Sequence, residues 1–351
     1  MNREDVLDHV DRCQPLEDLV FHGLDLSNAS LVGALFHRCR LIECNLNGTD
    51  LEHAQFIESD LERCDMSGTR IDSVKLIRSR LHSLDISTPT IEGLQSIETA
   101  WHHVSLRDAE ITDMMIAMGA LDNVDLSGIR AEKFIVNEVE TGFVNLKDSE
   151  LHRTAWIKCD LRALKLDHSR IRSGVFSACD LRAQVPAACE FIDVQFMECL
   201  LDGADLSGCS WTRPNFCKAS LRQVRAAGAS MPSALFMEAD CTGIDLSDAD
   251  LTQSIWQRAT ATGADFHNAR LYQANLAHAD FAHSGMQDCD LTYADLSHAN
   301  FTGANLTGAR VFRANFHQTR LDGAVTGDLS AALGDDPERL AAECWTPTSG
   351  R

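Results

Sequence analysis

Residues 294–308 read Ala-Asp-Leu-Ser-His, Ala-Asn-Phe-Thr-Gly and Ala-Asn-Leu-Thr-Gly, three versions of one five-residue unit. Each unit has a small residue, then Asp or Asn, then a large apolar residue and two further residues. A period of five fits neither an α-helix nor a continuous β-strand, whose side chains repeat about every 3.6 and 2 residues. It indicates a chain that forms a short extended face and then turns, because Asp, Asn, Ser and Gly favour turns.

The repeat runs through most of the 351 residues. Stepping by five from Phe21 to Leu321 gives 61 positions, of which 54 hold Leu, Ile, Val, Met, Phe or Trp. Counting Ala and Cys as well, 58 of the positions are hydrophobic, whereas a random set at the overall content of 44% would give about 27. The residue two places earlier is mostly small, as in Ala294 and Ala299. Alternate residues of a strand share one side, so we predict that both positions point inward and that four faces close a square coil.

The three units at 294–308 resemble the pentapeptide repeat family, whose motif is Ala-Asp/Asn-Leu-X-X. This resemblance implies an all-β fold, a right-handed quadrilateral β-helix of about 15 coils. At a spacing of roughly 4.8 Å per coil the solenoid would be about 70 Å long. We expect an N-terminal capping helix in 1–20, the β-helix in 21–325 and a C-terminal cap and tail in 326–351.

Two segments weaken the pattern. Residues 86–101, which contain Pro89 and Ser96, are predicted to form a loop, and a second irregularity is expected around Gln184 and Pro186. In addition, large side chains replace small ones over much of the middle, where they should widen or distort the coil: Val74, Leu84, Pro89, Leu94, Val104, Met114, Val124, Ile129 and Phe134.

Both ends carry the signals of short helices. Residues 3–13 have acidic residues in the first turn and Val6, Leu7 and Val10 at helical spacing. Near the other end, Asp336 precedes Pro337, a typical helix start, and a helix over 336–344 is predicted to cover the last coil through Leu340, Cys344 and Trp345. These caps would cover the apolar ends of the solenoid, and a terminal cap is also where a dimer would form.

The charge is strongly acidic, with 52 acidic against 31 basic residues and a formal net charge of −21. Such a surface repels nucleic acid and anionic membranes and attracts basic partners. The N-terminus lacks the apolar run of a signal peptide, and an odd count of 13 cysteines is typical of reduced thiols. We therefore expect a cytoplasmic protein that binds a protein partner with a basic surface.

No catalytic, cofactor or metal motif is found in the sequence. Nine cysteines and four of the five tryptophans fall on inward positions, where packing explains them better than metal binding or base stacking. Zinc needs four converging ligands, and no close Cys pair is present. The protein is therefore predicted not to be an enzyme. The nine cysteines are Cys39, Cys44, Cys64, Cys159, Cys179, Cys189, Cys199, Cys209 and Cys289.

An acidic stretch gives the candidate binding site. Between residues 240 and 300 there are nine acidic residues and only two basic ones. We predict an electronegative face for a basic partner, against the alternative of a solvated surface that keeps the solenoid soluble. Its residues would be Asp240, Asp245, Asp250, Asp265, Asp280, Asp290 and Asp295.

Resemblance implies two alternative functions, and a third is an alternative to both. The N-terminal segment through Pro15-Leu16 and Gly23-Leu-Asp-Leu-Ser, and the exit at 312–324, resemble pentapeptide repeat proteins of bacterial type VI secretion clusters. That resemblance implies an adaptor that recruits effector or spike proteins. The alternative is a DNA mimic that binds DNA gyrase and confers fluoroquinolone resistance, which the rod shape and acidity permit. A third is an effector delivered into another cell, although no toxin or targeting segment is recognised.

Overall fold

The structure is a computed structural model that describes residues 1–86 and 89–345. Parallel stacked coils form a β-solenoid of about 15 turns, with a short helix near each end, so the predicted fold class is confirmed. The chain divides into two compact units, Met1–Leu200 with Gly208–Ser210, and Leu201–Ser207 with Trp211–Arg351.

Short strands fill the first unit, whereas the second has few. After helix α1 (Arg3–Asp11), the strands in chain order are β1 (Leu16–Glu17), β2 (Val20–His22), β3 (Leu35–His37), β4 (Arg40–Ile42), β5 (Gln55–Ile57), β6 (Asp60–Glu62), β7 (Ile71–Asp72), β8 (Lys75–Ile77), β9 (Arg80–Asp85), β10 (Thr90–Glu92), β11 (Gln95–Ile97), β12 (Ala100–Ser105), β13 (Glu110–Ala117), β14 (Ala120–Asp122), β15 (Val124–Asp125), β16 (Arg130–Asn137), β17 (Glu140–Thr141), β18 (Val144–Asn145), β19 (Glu150–His152), β20 (Ala155–Ile157), β21 (Leu164–Lys165), β22 (Arg170–Arg172), β23 (Val175–Ser177), β24 (Glu190–Ile192), β25 (Gln195–Met197), β26 (Ser210–Thr212), β27 (Asn305–Leu306) and β28 (Val325–Thr326). Helix α2 (Pro337–Glu343) follows.

Each residue pairs with the residue twenty places later, so four five-residue units make one coil. In the first unit Leu16 pairs with Phe36 and Phe36 with Phe56, always in parallel. One sheet runs in the order β1-β3-β5-β8-β11-β13-β16-β19-β22-β24 and another in the order β2-β4-β6-β9-β12-β15-β18-β21. In the second unit the same spacing appears as single bridges, such as Asp245 with Asp265.

The interior is filled by the predicted large residues. All 61 positions of the five-residue series are buried except Thr141 and Leu321, which are half-buried. Residues in register stack along the interior: the rings of Phe36 and Phe56 are parallel at 4.8 Å, and those of Phe236 and Trp256 at 4.0 Å. Burial of these side chains supplies the main stabilisation, about 1.5–3 kcal/mol for each.

The longest strands of the first unit contain large side chains at small-residue positions. Leu84, Val104, Met114 and Phe134 are buried, and the strands that contain them, β9, β12, β13 and β16, have six to eight residues. Each of these strands continues through a corner of the coil where the regular repeat turns. The corner residues keep the left-handed conformation, as Ser83 does at φ 54°, so the turn is retained and the twenty-residue register is kept.

The loop predicted for residues 86–101 was wrong for the residues that the structure describes. Strands β10 and β11 and the start of β12 lie there, and Ser96 is buried, with its hydroxyl accepting a hydrogen bond from Trp101 Nε1 at 2.9 Å. The indole thus satisfies the polar group that had suggested a loop. Residues 87 and 88, in the same segment, lie outside the described part of the chain.

The irregularity around Pro186 is present. Pro186 is buried in the expected place, but Val185 beside it is exposed and no strand forms over 182–189. Proline has no N–H to donate to the next coil. The Gln184 side chain donates through Nε2 to two carbonyl oxygens of the preceding coil, those of Leu161 at 2.7 Å and Arg162 at 2.8 Å.

The turns place one residue of each unit in the left-handed region. Non-glycine residues fill many of these positions, for example Ala178 at φ 52°, whereas Gly263 has φ 65° and open space around an added Cβ. For a residue other than glycine, this conformation costs about 1–2 kcal/mol.

We predict opposite effects for Gly263→Ala and Ala178→Gly. The first should lower the free energy of unfolding by about 1 kcal/mol and the second should raise it by a similar amount, because only the backbone preference changes. Chemical denaturation of both variants measures the effect. Equal signs for the two changes would contradict the explanation.

The N-terminal cap forms as predicted but the coil begins earlier. Helix α1 buries Val6, and the Arg3 guanidinium donates to the carbonyl oxygens of Asp25 and Ser27. The solenoid ladder starts at Leu16, within the segment 1–20 assigned to the cap.

The C-terminal helix forms, but its predicted apolar contacts were wrong. No residue of α2 is buried, Leu340 is half-buried, Cys344 is exposed and Trp345 is 70% exposed. Arg339 and Glu343 contact the last coils through charged groups instead. Neither α1 nor α2 is long and apolar enough to span a membrane, and the described residues contain no other α-helix.

Candidate partner-binding surfaces

The seven aspartates predicted to form one acidic face lie on four different ladders, a ladder being a row of residues that stack in register twenty places apart. Because neighbours in a ladder are twenty residues apart, a spacing of five moves a residue to the next face. Asp245 pairs with Asp265, whereas Asp240 and Asp280 are both paired with Thr260, Asp250 and Asp290 with Arg270, and Asp295 with Asn275. The seven aspartates therefore do not lie on one ladder, and their role in binding a basic partner stays a prediction. The seven residues are Asp240, Asp245, Asp250, Asp265, Asp280, Asp290 and Asp295.

These carboxylates hold the turns of their own chain. Asp245 Oδ1 accepts hydrogen bonds from Ser247 N at 3.1 Å and from its hydroxyl at 2.7 Å. Each of the other six accepts the corresponding backbone N–H two residues later. Asn300, at the same repeat position, accepts the same bonds from Thr302. The Asp/Asn preference of the repeat thus reflects the side-chain oxygen and not the charge.

This explanation predicts different outcomes for Asp245→Asn and Asp245→Ala. The asparagine variant keeps the acceptor and should change the free energy of unfolding by less than about 0.5 kcal/mol. The alanine variant leaves two donors without their partner and should lose about 1–2 kcal/mol. Urea denaturation distinguishes them, and equal losses would mean that the charge itself stabilises the turn.

A partly exposed row of aromatic side chains lies on the second unit. The rings of Tyr272 and Tyr293 meet edge to face at 5.9 Å, and those of Tyr293 and Phe312 at 5.7 Å. Tyr293 is 43% and Phe312 53% exposed. These are the chain's two tyrosines and one of its fifteen phenylalanines. We name Tyr272, Tyr293 and Phe312 the aromatic ladder. This cluster was not predicted from the sequence, although its spacings of 21 and 19, close to the twenty residues of one coil, would have revealed it.

Polar residues border the aromatic ladder on both sides. On one side Arg270, Asp290 and Arg310 follow one another in a single row, with charges that alternate. On the other side a second row holds Asn275, Asp295 and Asn315, and Asn315 Nδ2 donates to Asp295 Oδ1 at 2.9 Å. An aromatic centre with a polar border is typical of the energetic centre of a protein interface.

A charged groove of about 500 Å³ crosses the first unit. Its acidic and basic residues alternate: Arg130 lies 3.6 Å from Glu110 and Arg170 lies 3.8 Å from Glu150, while Arg170 also pairs with Glu190. The charges therefore neutralise one another along the ladder. The groove is shallow and open, and it offers a partner little unpaired charge.

Within the described residues, the apolar cavity inside the coils is too small for a small-molecule ligand. The apolar cavity inside the first unit, lined by residues such as Phe56 and Trp101, has a volume of about 20 Å³. That volume is about the size of one water molecule. A ligand or partner must therefore bind to the outside of the coils.

The inward cysteines pack as predicted. In the ladder of Cys159, Cys179 and Cys199, each thiol donates to a backbone carbonyl oxygen, at 3.8, 3.2 and 3.3 Å. Burial raises the pKa of the Cys289 thiol to about 12, so that it stays protonated at neutral pH. A protonated, buried thiol is a poor nucleophile and a poor metal ligand. Trp101, Trp156, Trp211 and Trp256 are likewise buried in the core.

The C-terminal cap brings together two histidines and a glutamate, which we name the cap cluster. His298 Nε2 lies 3.3 Å from Glu343 Oε1, and His317 Nε2 lies 3.2 Å from Glu343 Oε2. His317 is 1% exposed. Arg339 Nε donates to Glu343 Oε1 at 2.8 Å, and this bond holds the pKa of the Glu343 carboxyl at about 2. The sequence predicted no metal site, because the three residues become neighbours only when α2 docks.

The chain matches two sequence profiles of one family. The profile "Pentapeptide repeat region" covers residues 149–226, and "Pentapeptide repeats (8 copies)" covers 20–56, 49–83, 215–253, 244–282 and 289–325. Together they match more than half of the chain. No curated protein sequence matches it.

Several solved structures of pentapeptide repeat proteins are similar to parts of the chain. HetL, involved in heterocyst differentiation regulation in the cyanobacterium Nostoc sp. strain PCC 7120, is 20% identical over 69% of this chain and 91% of its own, with a TM-score of 0.33. A trypsin-treated form of QnrB1, a plasmid-mediated fluoroquinolone resistance protein, is 20% identical over 47% of this chain and 86% of its own, with a TM-score of 0.24. A protein from the Arabidopsis thaliana thylakoid lumen is 23% identical over 36% and 84%, with a TM-score of 0.15. The two repeat profiles, and not these partial alignments, establish that the chain belongs to the pentapeptide repeat family.

Proposed function

We propose that this protein is a non-enzymatic scaffold that binds a protein partner through the aromatic ladder of its second unit. The observation that carries the proposal is the cluster of half-buried Tyr272 with exposed Tyr293 and Phe312 on a regularly hydrogen-bonded surface. Aromatic residues gain more from burial at an interface than other exposed types. The filled interior supports external binding over catalysis in a cleft.

The partner we propose has apolar anchors surrounded by basic residues. The anchors would pack on the aromatic ladder, while basic side chains would reach Asp290 and Asp295 in the bordering rows. A net charge of −21 would speed the encounter with such a surface. From the resemblance of its two ends, we further propose a cytoplasmic adaptor that recruits a spike or effector protein for type VI secretion.

A comparative affinity purification tests the scaffold. The full chain, a Tyr293→Ala/Phe312→Ala variant and a Phe143→Ala control are immobilised, and candidate spike and effector proteins are applied in purified form. Phe143 is 44% exposed in the first unit, which matches the exposure of Tyr293. We expect the full chain and the control to retain one partner that the double variant loses by at least tenfold in affinity. Equal retention by all three proteins would refute the role of the aromatic ladder.

DNA mimicry stays a prediction of the sequence. The seven aspartates of the predicted acidic face lie on four ladders. Other carboxylates of the chain pair with arginines, as Asp205 does with Arg225 at 2.9 Å. This arrangement gives no specific support for a continuous phosphate-like stripe. Inhibition of gyrase supercoiling by the purified protein would favour this function over the scaffold.

A further inference from the structure

We propose that the cap cluster is a binding site for a divalent transition metal of the zinc type, with His298 Nε2, His317 Nε2 and the Glu343 carboxylate as ligands. The three groups come from two neighbouring coils and from α2, and their ligand atoms lie within 4.8 Å of one another. Two imidazoles and a carboxylate form a ligand set that zinc commonly uses. The site is separate from the aromatic ladder and does not depend on the proposed function.

The ligand atoms lie close to the spacing of a tetrahedral ion. Ligands at about 2.0 Å from zinc in a tetrahedron lie about 3.3 Å from one another. The two nitrogen–oxygen separations in the cap cluster are 3.3 and 3.2 Å, and they end on different oxygens of Glu343, Oε1 and Oε2. Because the three ligand atoms lie within 4.8 Å of one another, small side-chain movements would bring them to the tetrahedral spacing. The fourth position would hold water. The nearly complete burial of His317 fixes one ligand in advance, which lowers the ordering cost of binding.

A second carboxylate stands behind the buried histidine. Asp335 Oδ1 lies 3.7 Å from His317 Nδ1 and is held by a hydrogen bond from Gln318 N at 2.8 Å. A histidine that binds a metal through Nε2 carries its proton on Nδ1 and usually donates it to such a group. In the structure Asp336 N donates to Nδ1 at 3.1 Å, so metal binding would exchange this contact for Asp335.

The positively charged Arg339 contacts two of the proposed ligands and would compete with the metal for them. Besides its bond to Glu343, its Nη2 lies 3.4 Å from His298 Nε2. A divalent ion bound to both ligands would repel the guanidinium, whose side chain is 40% exposed and free to move into solvent. Metal and Arg339 should therefore exclude each other. If the cap cluster binds a metal, removing the arginine should strengthen metal binding. If the cluster only forms hydrogen bonds, removing the arginine should weaken the cluster and give no gain in metal affinity.

Metal titration of the full chain tests the site. Zinc binding is measured by calorimetry and cobalt binding by visible absorption, which reports tetrahedral geometry. Exposed Cys13 and Cys344 are changed to serine in all proteins, because their thiols could bind the ions independently. We expect one ion per chain, with affinity at least tenfold weaker in Glu343→Gln and in His298→Ala. His267→Ala, at an exposed histidine of the same unit, is the control that should not change.

The Arg339→Ala variant gives the decisive comparison. We expect it to bind zinc several-fold more tightly than the parent protein. Absence of stoichiometric binding in the parent, equal binding by Glu343→Gln and the control, or weaker binding by Arg339→Ala would each overturn the proposal. Circular dichroism of every variant establishes that the solenoid is folded before binding is compared.

Discussion

Trp256→Ala should lower the free energy of unfolding by about 3–5 kcal/mol, among the largest effects of any single substitution. The indole is 0% exposed, stacks on Phe236 at 4.0 Å and meets Phe266 edge to face at 5.4 Å. Its Nε1 donates to Ser254 Oγ at 2.8 Å. Alanine would leave a cavity that these fixed coils cannot close, and a buried hydroxyl would lose its donor.

Equilibrium unfolding in guanidinium chloride measures this loss. Trp345→Ala is the matched control, because that indole is 70% exposed and its removal should change stability by less than about 0.5 kcal/mol. Intrinsic fluorescence and circular dichroism should report one transition for the second unit. A loss below about 1 kcal/mol for Trp256→Ala would mean that the neighbouring rings collapse into the space.

Deletion of Gly263 alone should prevent the coils that follow it from folding in their native register. One missing residue turns every later inward side chain to another direction, because the series repeats every five residues. Each coil buries four large side chains, and each contributes about 1.5–3 kcal/mol. Misplacing one coil would thus cost about 6–12 kcal/mol, which is comparable to the whole stability of a typical domain.

The control for this deletion removes more of the chain. Deleting residues 261–280, which include Gly263, takes out one complete coil and leaves the twenty-residue register intact. We expect this longer deletion to fold and the single deletion to be cleaved beyond residue 262 in limited proteolysis with mass spectrometry. Equal protease resistance of both proteins would show that a local bulge absorbs the missing residue.

The fold could be predicted from the sequence because the pattern that determines it lies within each five-residue unit. A large apolar residue every fifth position fixes which side chains enter the interior, and 59 of the 61 positions are fully buried. The loop expected at 86–101 was wrong because a single polar residue was judged without the side chain that contacts it from the following five-residue unit. Ser96 suggested a loop, but Trp101 satisfies its hydroxyl.

The candidate site was less predictable, because surfaces of this fold join residues twenty apart. Closeness in sequence placed seven aspartates on one face, whereas Asp245 and Asp250 lie on adjacent faces. Reading the sequence in rows of twenty would have found Tyr272, Tyr293 and Phe312. The cap cluster could not be found in this way, since it depends on where α2 docks, and the apolar residues expected to dock it are exposed or half-buried.

The alternating charges of the first unit predict how related sequences should vary. Glu110, Arg130, Glu150, Arg170 and Glu190 succeed one another on a single ladder, so each of the three inner charges faces two opposite charges from adjacent coils. Reversal of one sign would bring like charges together on both sides. Related sequences should therefore change in correlated sets at intervals of twenty, and such covariation would record the coil geometry in an alignment without any coordinates.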